Sequence, residues 1–483
     1  EGFGLGSAEA LTVGTPIIVN VTGGLQDQCG FRDDDGNLLI ADDYIELGTN
    51  HRGKYKTHGE WVKPIYPASI SLQGSPMTPY IWDDRCNPED AAVSLREFYD
   101  LGREERKRLG SLGTEFCNLD IKCIDVKWGN TPRNHLNPEV TRHKKLLDTF
   151  IDGNKISQQP DVVIDIRIPN EFADGAKFNI GITAGVETDV VSPEFLAGMN
   201  KMSLNIVPSH FTANTFKKCN YDKMQDMPDG SKQKISEIKL DKPIEVLFEG
   251  VDTSVYYPMD KYQIKSEFTD ELNELIKEDF AYLHVGQWGK GGYGEDRKNI
   301  SSMIKCFLQA FSNKPNPPAL VLKINGANFS VLDKAEVVKK IDIIKDGFSQ
   351  LDNVPSIYLI HGDLTIEEMS LMYNNPKIKA FLTCTHGEGY GRPMAEATCC
   401  DLPVIASNWS GHLDFLSDKD SLMINGSLTE VPDSMIWDPI IIKPSKWYTV
   451  NEVDVVRKLR MFYKKHGLIT KKAKRLGKKN RRE

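Results

Sequence analysis

Short apolar runs bounded by turn residues recur along most of this chain, separated by longer segments in which apolar positions follow a helical spacing. Runs of that length read as strands buried on both faces, and the amphipathic segments between them as covering helices, an alternation that points to parallel sheet. From about Leu119 the predicted strands are Ile121–Val126, Val162–Ile166, Phe178–Thr183, Met202–Val207 and Ile244–Phe248, with helices near 139–152, 193–200 and 210–219. A second series begins near 260, with strands at Phe280–Trp288, Ala319–Ile324, Ile357–Ile360 and Ile378–Thr383 and an amphipathic helix over Ile300–Phe311. The expected fold class is therefore α/β, with two doubly wound parallel-sheet lobes. The first 117 residues read differently: a strand at Pro16–Asn20, a polar loop at Asp33–Asn37, an irregular stretch from His51 to Tyr80, and a helix over Asn87–Leu109 capped by Asn87.

Length and composition narrow the class. A chain of 483 residues has room for about three domains, and 40% hydrophobic with 27% charged residues is the balance of a globular protein. A net charge of −8 argues against a nucleic-acid binder. No apolar run approaches the ~20 residues of a membrane span, and no signal peptide is legible, although the chain opens on Glu1 within a motif. The nine cysteines show no zinc spacing and read as reduced thiols of a cytoplasmic protein. Asp33 and Asp35 read as an acidic Asp-Gly turn, and no metal site is expected. The basic end, Lys471–Arg482, is expected to be a solvated helix end or a peripheral contact with an anionic membrane surface.

The candidate chemistry concentrates at Glu388-Gly-Tyr-Gly-Arg-Pro-Met-Ala-Glu396-Ala, which follows a predicted strand and leads into Leu402-Pro-Val-Ile-Ala. The glycines make a turn and Pro393 suits the first helical position, so Glu388 lies in the turn and Glu396 about one helical turn further on. Long side chains on a helix lean toward its N-terminus, so both carboxylates can be brought to one spot, where the N–H groups of Gly389, Tyr390 and Gly391 also point. Amides and helix dipole suit phosphate oxygens, and carboxylates suit vicinal hydroxyls. The same pattern opens the chain: Glu1-Gly-Phe-Gly-Leu-Gly-Ser-Ala-Glu9-Ala, then Pro16-Ile-Ile-Val and Gly24-Leu-Gln-Asp27, aligns without a gap on Glu388 to Asp414. A further echo pairs Leu95-Arg-Glu-Phe-Tyr99 with Leu459-Arg-Met-Phe-Tyr463.

With its glycines, its Pro-led strand and Gly411-His-Leu-Asp414 beyond it, the motif resembles the donor site of family 4 glycosyltransferases (glycosyl transferases group 1), retaining enzymes of the two-lobed GT-B fold. The resemblance implies a truncated donor-lobe fragment at 1–117, an acceptor-side Rossmann-like lobe at 118–255, a donor lobe at 256–450, and a closing helix with a basic tail at 451–483. It implies a hexose transferred from a nucleoside diphosphate sugar to an acceptor hydroxyl with retention, without metal or further cofactor. Lys298 and Arg297, opening the first donor-lobe helix, would hold the diphosphate with the amides of 389–391. Glu396 would bind ribose hydroxyls, and Glu388 would position the donor sugar. Where the family usually has Arg, this chain has Gln287, so either Lys290 or Arg297 would supply that charge or diphosphate binding would be weaker than usual. The loop Ala184–Asp189 lacks the family's His, leaving Glu187 and His210 as acceptor-side candidates. Glu249-Gly-Val-Asp-Thr253 resembles the segment leading into the hinge, with Phe248 in place of its Pro. Glu1 and Glu9 would be the first-copy equivalents of the two acids.

Two other readings stay open: a non-catalytic sugar-nucleotide module of a longer polypeptide, and an epimerase or phosphorylase on the same two-lobed fold, although no Lys is marked for pyridoxal. The glycine spacing at Gly2, Gly4 and Gly6 is wrong for hydride-transfer enzymes. Sugar, base and acceptor are not legible.

Overall fold

The computed structural model describes all residues except 1–3, 41–42, 45–47, 76–77, 118–120, 125, 127–135, 152–155, 157, 229–230, 261, 327–328 and 483. The chain divides into two units, Glu1–Lys155 and Ile156–Glu483. The segment from 118 to 155, expected in the acceptor-side lobe, thus goes with the first unit.

In the first unit, helix α1 (Leu5–Thr12) leads into strand β1 (Ile17–Asn20), which pairs in parallel with β2 (Val62–Ile65). Leu11, Val19, Val21, Phe31 and Val62 form its small core. A hairpin of β3 (Ser69–Ser75) and β4 (Thr78–Arg85) follows, then helices α2 (Pro88–Asp100) and α3 (Arg103–Phe116). The expected single helix from Asn87 is two, because Leu101 and Gly102 adopt extended backbone. Asp33 accepts from the backbone N–H groups of Asp35 (3.0 Å) and Asn37 (2.8 Å), the acidic turn that was expected. Helix α4 (Thr141–Leu147) is shorter than the expected 139–152. The expected strand Ile121–Val126 is not formed: among its described residues only Cys123 pairs, in an isolated bridge to Phe150. Ile121, Ile124 and Val126 are exposed, and without a neighbouring strand to cover them an apolar run gains nothing from extension.

The second unit holds two parallel sheets. β5 (Val162–Ile166), β6 (Phe178–Ile182), β7 (Leu204–Val207) and β10 (Ile244–Val246) form a four-stranded sheet in the order β10-β7-β6-β5. Between them lie α5 (Pro193–Met199), α6 (His210–Lys218) and a hairpin of β8 (Asn220–Asp226) and β9 (Lys232–Lys239). Ser192 and Ser209 accept from the N–H three residues on, which fixes where α5 and α6 begin.

After α7 (Glu267–Leu275) come β11 (Ala281–Gln287), α8 (Ile300–Phe311), β12 (Ala319–Asn325), α9 (Val331–Asp346), β13 (Ile357–Ile360), α10 (Ile366–Asn374), β14 (Ile378–Leu382), α11 (Arg392–Cys399), β15 (Val404–Ser407) and β16 (Leu422–Ile424). The six strands stand in the order β13-β12-β11-β14-β15-β16, all parallel. β11 and β14 lie at the centre, so the loops at their carboxyl ends meet, where open α/β sheets bind ligands. The hairpin of β17 (Gly426–Glu430) and β18 (Lys446–Val450) leads into α12 (Glu452–Asn480). This helix breaks at Lys465 (φ −125°) and packs on α8, α11 and β16. Its basic end is docked by Arg481 on Asp401 (2.8 Å) and by Arg475 on Asp420 (3.0 Å), while Lys471, Lys472, Lys474, Lys478 and Lys479 face solvent. Among the described residues no helix is long and apolar enough to cross a membrane.

The aligned motifs adopt matching local structure within their own units. Gly4 (φ 77°) and Gly391 (φ 98°) hold the left-handed turn before α1 and α11, and β1 coincides with β15 residue for residue. Gly14 and Asp401 both have positive φ after those helices. The break between α2 and α3 falls where α12 is non-helical. Gly113 abuts Leu11, and Gly477 abuts Thr398, at equivalent places. One member of the pattern departs: Glu9 is exposed, whereas Glu396 is 6% exposed. Glu1 lies outside the described residues.

Candidate functional site

The loop after β14 turns through Gly387, Glu388 and Gly389 before Gly391 opens α11, which places the N–H groups of 389–391 at that helix's N-terminus. Its geometry depends on close backbone approach. A Cβ on Gly389 would stand 2.1 Å from the Ala184 carbonyl oxygen, so the turn lies directly against the 184–187 loop of the four-stranded sheet. Both sheets therefore contribute to one crevice.

Glu388, 8% exposed, accepts from Lys298 Nζ with both carboxylate oxygens, at 2.5 and 2.7 Å. Its own N–H donates to Ser410 Oγ at 2.9 Å. Burial pushes the Glu388 carboxyl up, but Lys298 and Arg297 beside it outweigh burial and hold it below the usual carboxylate value. Burial, with Arg297, also draws the Lys298 ammonium down while Glu388 opposes this. Below it, His284 gives one ring nitrogen to the Leu382 carbonyl (2.8 Å) and is kept neutral by burial, its pKa lowered to about 4.

Lys298 reaches this place from a turn stitched to the Glu388 loop: the Arg297 carbonyl accepts from His386 N (3.0 Å) and Thr385 Oγ1 (3.4 Å). The expectation that Arg297 and Lys298 open the helix is corrected. α8 starts at Ile300, because buried Asp296 accepts from Ile300 N (3.0 Å) and Asn299 takes a left-handed conformation. Arg297 pairs with Glu187 across the crevice, so the acceptor-side candidate and the diphosphate candidate meet each other. Gln287 does not face the site freely: its amide donates to the Gly326 carbonyl at 2.7 Å. Lys290 is exposed on the same loop. His210 is exposed at the start of α6, its N–H donating to Asp414 Oδ2 (2.8 Å) and its ring edge-on to Phe248.

Glu396 accepts from Arg392 Nε (3.0 Å) and from the buried Tyr373 hydroxyl (3.2 Å). Burial raises its carboxyl, opposed by Arg392. Glu388 and Glu396 thus hold separate partners, linked by a residue that motif reading passed over. Glu249 feels Arg392, Glu388 and Lys298, and burial pushes its carboxyl up. The aromatic stack of Phe248 on Tyr390 (centroids 5.9 Å apart) holds it there. Its only signal in the sequence was an acid immediately before Gly250-Val-Asp.

The opposite shifts of the two motif acids separate in pH. Glu396, raised, loses its charge as pH falls through a value above the ordinary 4.5, while Glu388, lowered, stays ionised. A ligand held through hydroxyls on Glu396 is expected to bind more weakly as acidification protonates that carboxyl, before Glu388 loses its charge. The stability that Glu388 contributes is present above the unfolded carboxylate value and lost only as pH falls through its lower folded value. Calorimetric binding and thermal melts over the same pH series check this, and simultaneous loss of both would contradict it.

No family model matches the chain. Over 184 residues, 38% of this chain, it is 25% identical to the capsular polysaccharide biosynthesis glycosyltransferase CapM of Staphylococcus aureus, spanning 42% of that curated relative's length. Among solved structures it is similar to Anabaena Alr3699/HepE in complex with UDP and glucose, with a TM-score of 0.41 at 12% identity over 63% of this chain and 66% of that one. It is also similar to the C-terminal domain of the group 1 family glycosyl transferase LpcC of Francisella tularensis, with a TM-score of 0.32 at 17% identity over 47% of this chain and 96% of that domain. At such TM-scores these likenesses position no residue.

Proposed function

We propose that the second unit is a retaining glycosyltransferase of the GT-B type, moving a hexose from a nucleoside diphosphate sugar to an acceptor hydroxyl. The observation that carries this reading is the buried Lys298–Glu388 pair at a glycine turn, in a crevice to which both parallel sheets contribute. The similarity to a capsular polysaccharide glycosyltransferase, partial as it is, points the same way. Cations fixed where a leaving diphosphate gathers charge stabilise its departure without reorganising. Lys298 and Arg297 take that role, with the amides of 389–391 at the α11 N-terminus. Glu396 receives ribose hydroxyls and Glu388 a hydroxyl of the donor sugar. The leaving phosphate, rather than a protein carboxylate, helps to take the acceptor proton, so no covalent nucleophile is assigned.

On this reading the lobes are the four-stranded acceptor-side sheet and the six-stranded donor sheet. The first unit is a second copy of part of the donor lobe, a reading supported by the matching glycine turns, strands and helix breaks. With Glu9 exposed, that copy is assigned no catalysis. The solvent-facing lysines of α12 form a face that an anionic bilayer attracts, and the chain acts in the cytoplasm or at a membrane edge.

One observation favours the non-catalytic module: Arg297 is already paired with Glu187. Incubation with UDP-, GDP- and ADP-sugars, with and without EDTA, separates the two. Nucleotide release that survives EDTA and disappears in Glu396→Ala supports transfer, whereas tight binding without turnover supports the module.

A further inference from the structure

Helix α9 carries apolar residues on two sides. Its inner side buries Val337 and Ile341 in the donor-sheet core. On its outer side Val331 is 83%, Leu332 79%, Ile343 63% and Val338 38% exposed. A helix covering a sheet normally presents polar residues outward, and so many apolar side chains on one exposed helix mark a contact surface.

We propose that this face is the interface between two copies of the chain, packed as an antiparallel α9–α9 pair about a two-fold axis at Val338. The charges on the face select that occupant. Lys334 and Asp342 lie at equal distances on either side of Val338 along the helix, so antiparallel pairing sets each Lys334 against the partner's Asp342, twice over. Ser330, the cap of α9, and Asp346, its last residue, are likewise symmetric about Val338. The same arrangement therefore brings each Asp346 carboxylate to the positive N-terminal end of the other helix. Val331 and the small Ala335 share the stripe of Lys334, Val338 and Asp342, and Ala335 beside the axis lets the backbones approach. Parallel pairing would instead stack Lys334 on Lys334 and Asp342 on Asp342. The face is thus complementary to itself in one direction only.

Sixteen residues make a helix about 24 Å long, which buries less area than a permanent dimer needs, so the association is weak and reversible. It lies on a lateral helix of the donor sheet and does not depend on the proposed transfer reaction.

Sedimentation velocity on the full chain is expected to show a monomer–dimer equilibrium with a dissociation constant of about 10 µM. Val338→Glu places two like charges at the axis and is expected to leave only monomer at about 100 µM, with a thermal melt like that of the wild type because the residue is exposed. Lys334→Glu is expected to weaken the dimer about tenfold, and Lys334→Glu combined with Asp342→Lys to restore it. A chain that stays monomeric at about 100 µM, or a dimer indifferent to Val338→Glu, overturns the proposal. So does failure of the double charge reversal to recover what the single one lost.

Discussion

Replacing Lys298 by Ala should slow transfer by orders of magnitude and destabilise the second unit at once. The ammonium donates to both oxygens of a carboxylate that is 8% exposed. Removing one member of such a pair leaves a buried charge uncompensated, a loss of about 3–5 kcal/mol. Loss of the cation that faces the departing diphosphate should cost about 10²–10³ in kcat/KM besides. The two effects can be told apart with Lys298→Ala combined with Glu388→Gln, in which the stranded charge is gone. Thermal stability should return most of the way in that variant, and activity should not. Recovery of turnover along with stability would mean that the pair is a structural feature of the fold.

The second large effect is expected at a residue with no functional group. Gly389→Ala places a methyl 2.1 Å from the Ala184 carbonyl oxygen, an overlap that only a shift of about 1 Å between the two loops relieves. Displacement of that size within a reacting site is worth about 100-fold in rate. Because the contact joins loops at the mouth of the crevice and not core layers, the melting temperature should move little. Steady-state kinetics with a calorimetric scan checks this, and a 100-fold loss accompanied by global unfolding would contradict it.

Much of this arrangement was legible from residue order. The glycine turn and helix start around Glu388 follow from Gly391 and Pro393, and the parallel sheets follow from alternating apolar runs and amphipathic segments. The pattern failed where a strand depends on neighbours it does not encode. Ile121–Val126 has the composition of a strand, yet Ile121, Ile124 and Val126 are exposed and, among its described residues, only Cys123 forms a strand bridge. The span of α8, Ile300–Phe311, was legible, but that Asp296 is its buried anchor, leaving Arg297 and Lys298 in the turn before it, was not. Pairing across the crevice was not legible either, since Glu187 and Arg297 belong to different sheets. Glu249 was read only as part of a hinge-like segment, although its field reaches Glu388, Lys298 and Arg392. At the head of the chain the repeated letters are matched by repeated turns and strands, but Glu9 is exposed where Glu396 is enclosed by Arg392 and Tyr373. A motif carries over the backbone more faithfully than it carries over an environment.

On the proposed function, a sugar nucleotide binds with its diphosphate on Lys298 and Arg297 and its hydroxyls on Glu388 and Glu396. A crystal structure of the chain with a nucleoside diphosphate sugar tests it most directly. Phosphate oxygens are expected within hydrogen-bond distance of Lys298 Nζ, with Arg297 released from Glu187 and the ribose on Glu396. A donor bound away from the 387–391 turn, or one that leaves Lys298 and Glu388 paired and untouched, would contradict it.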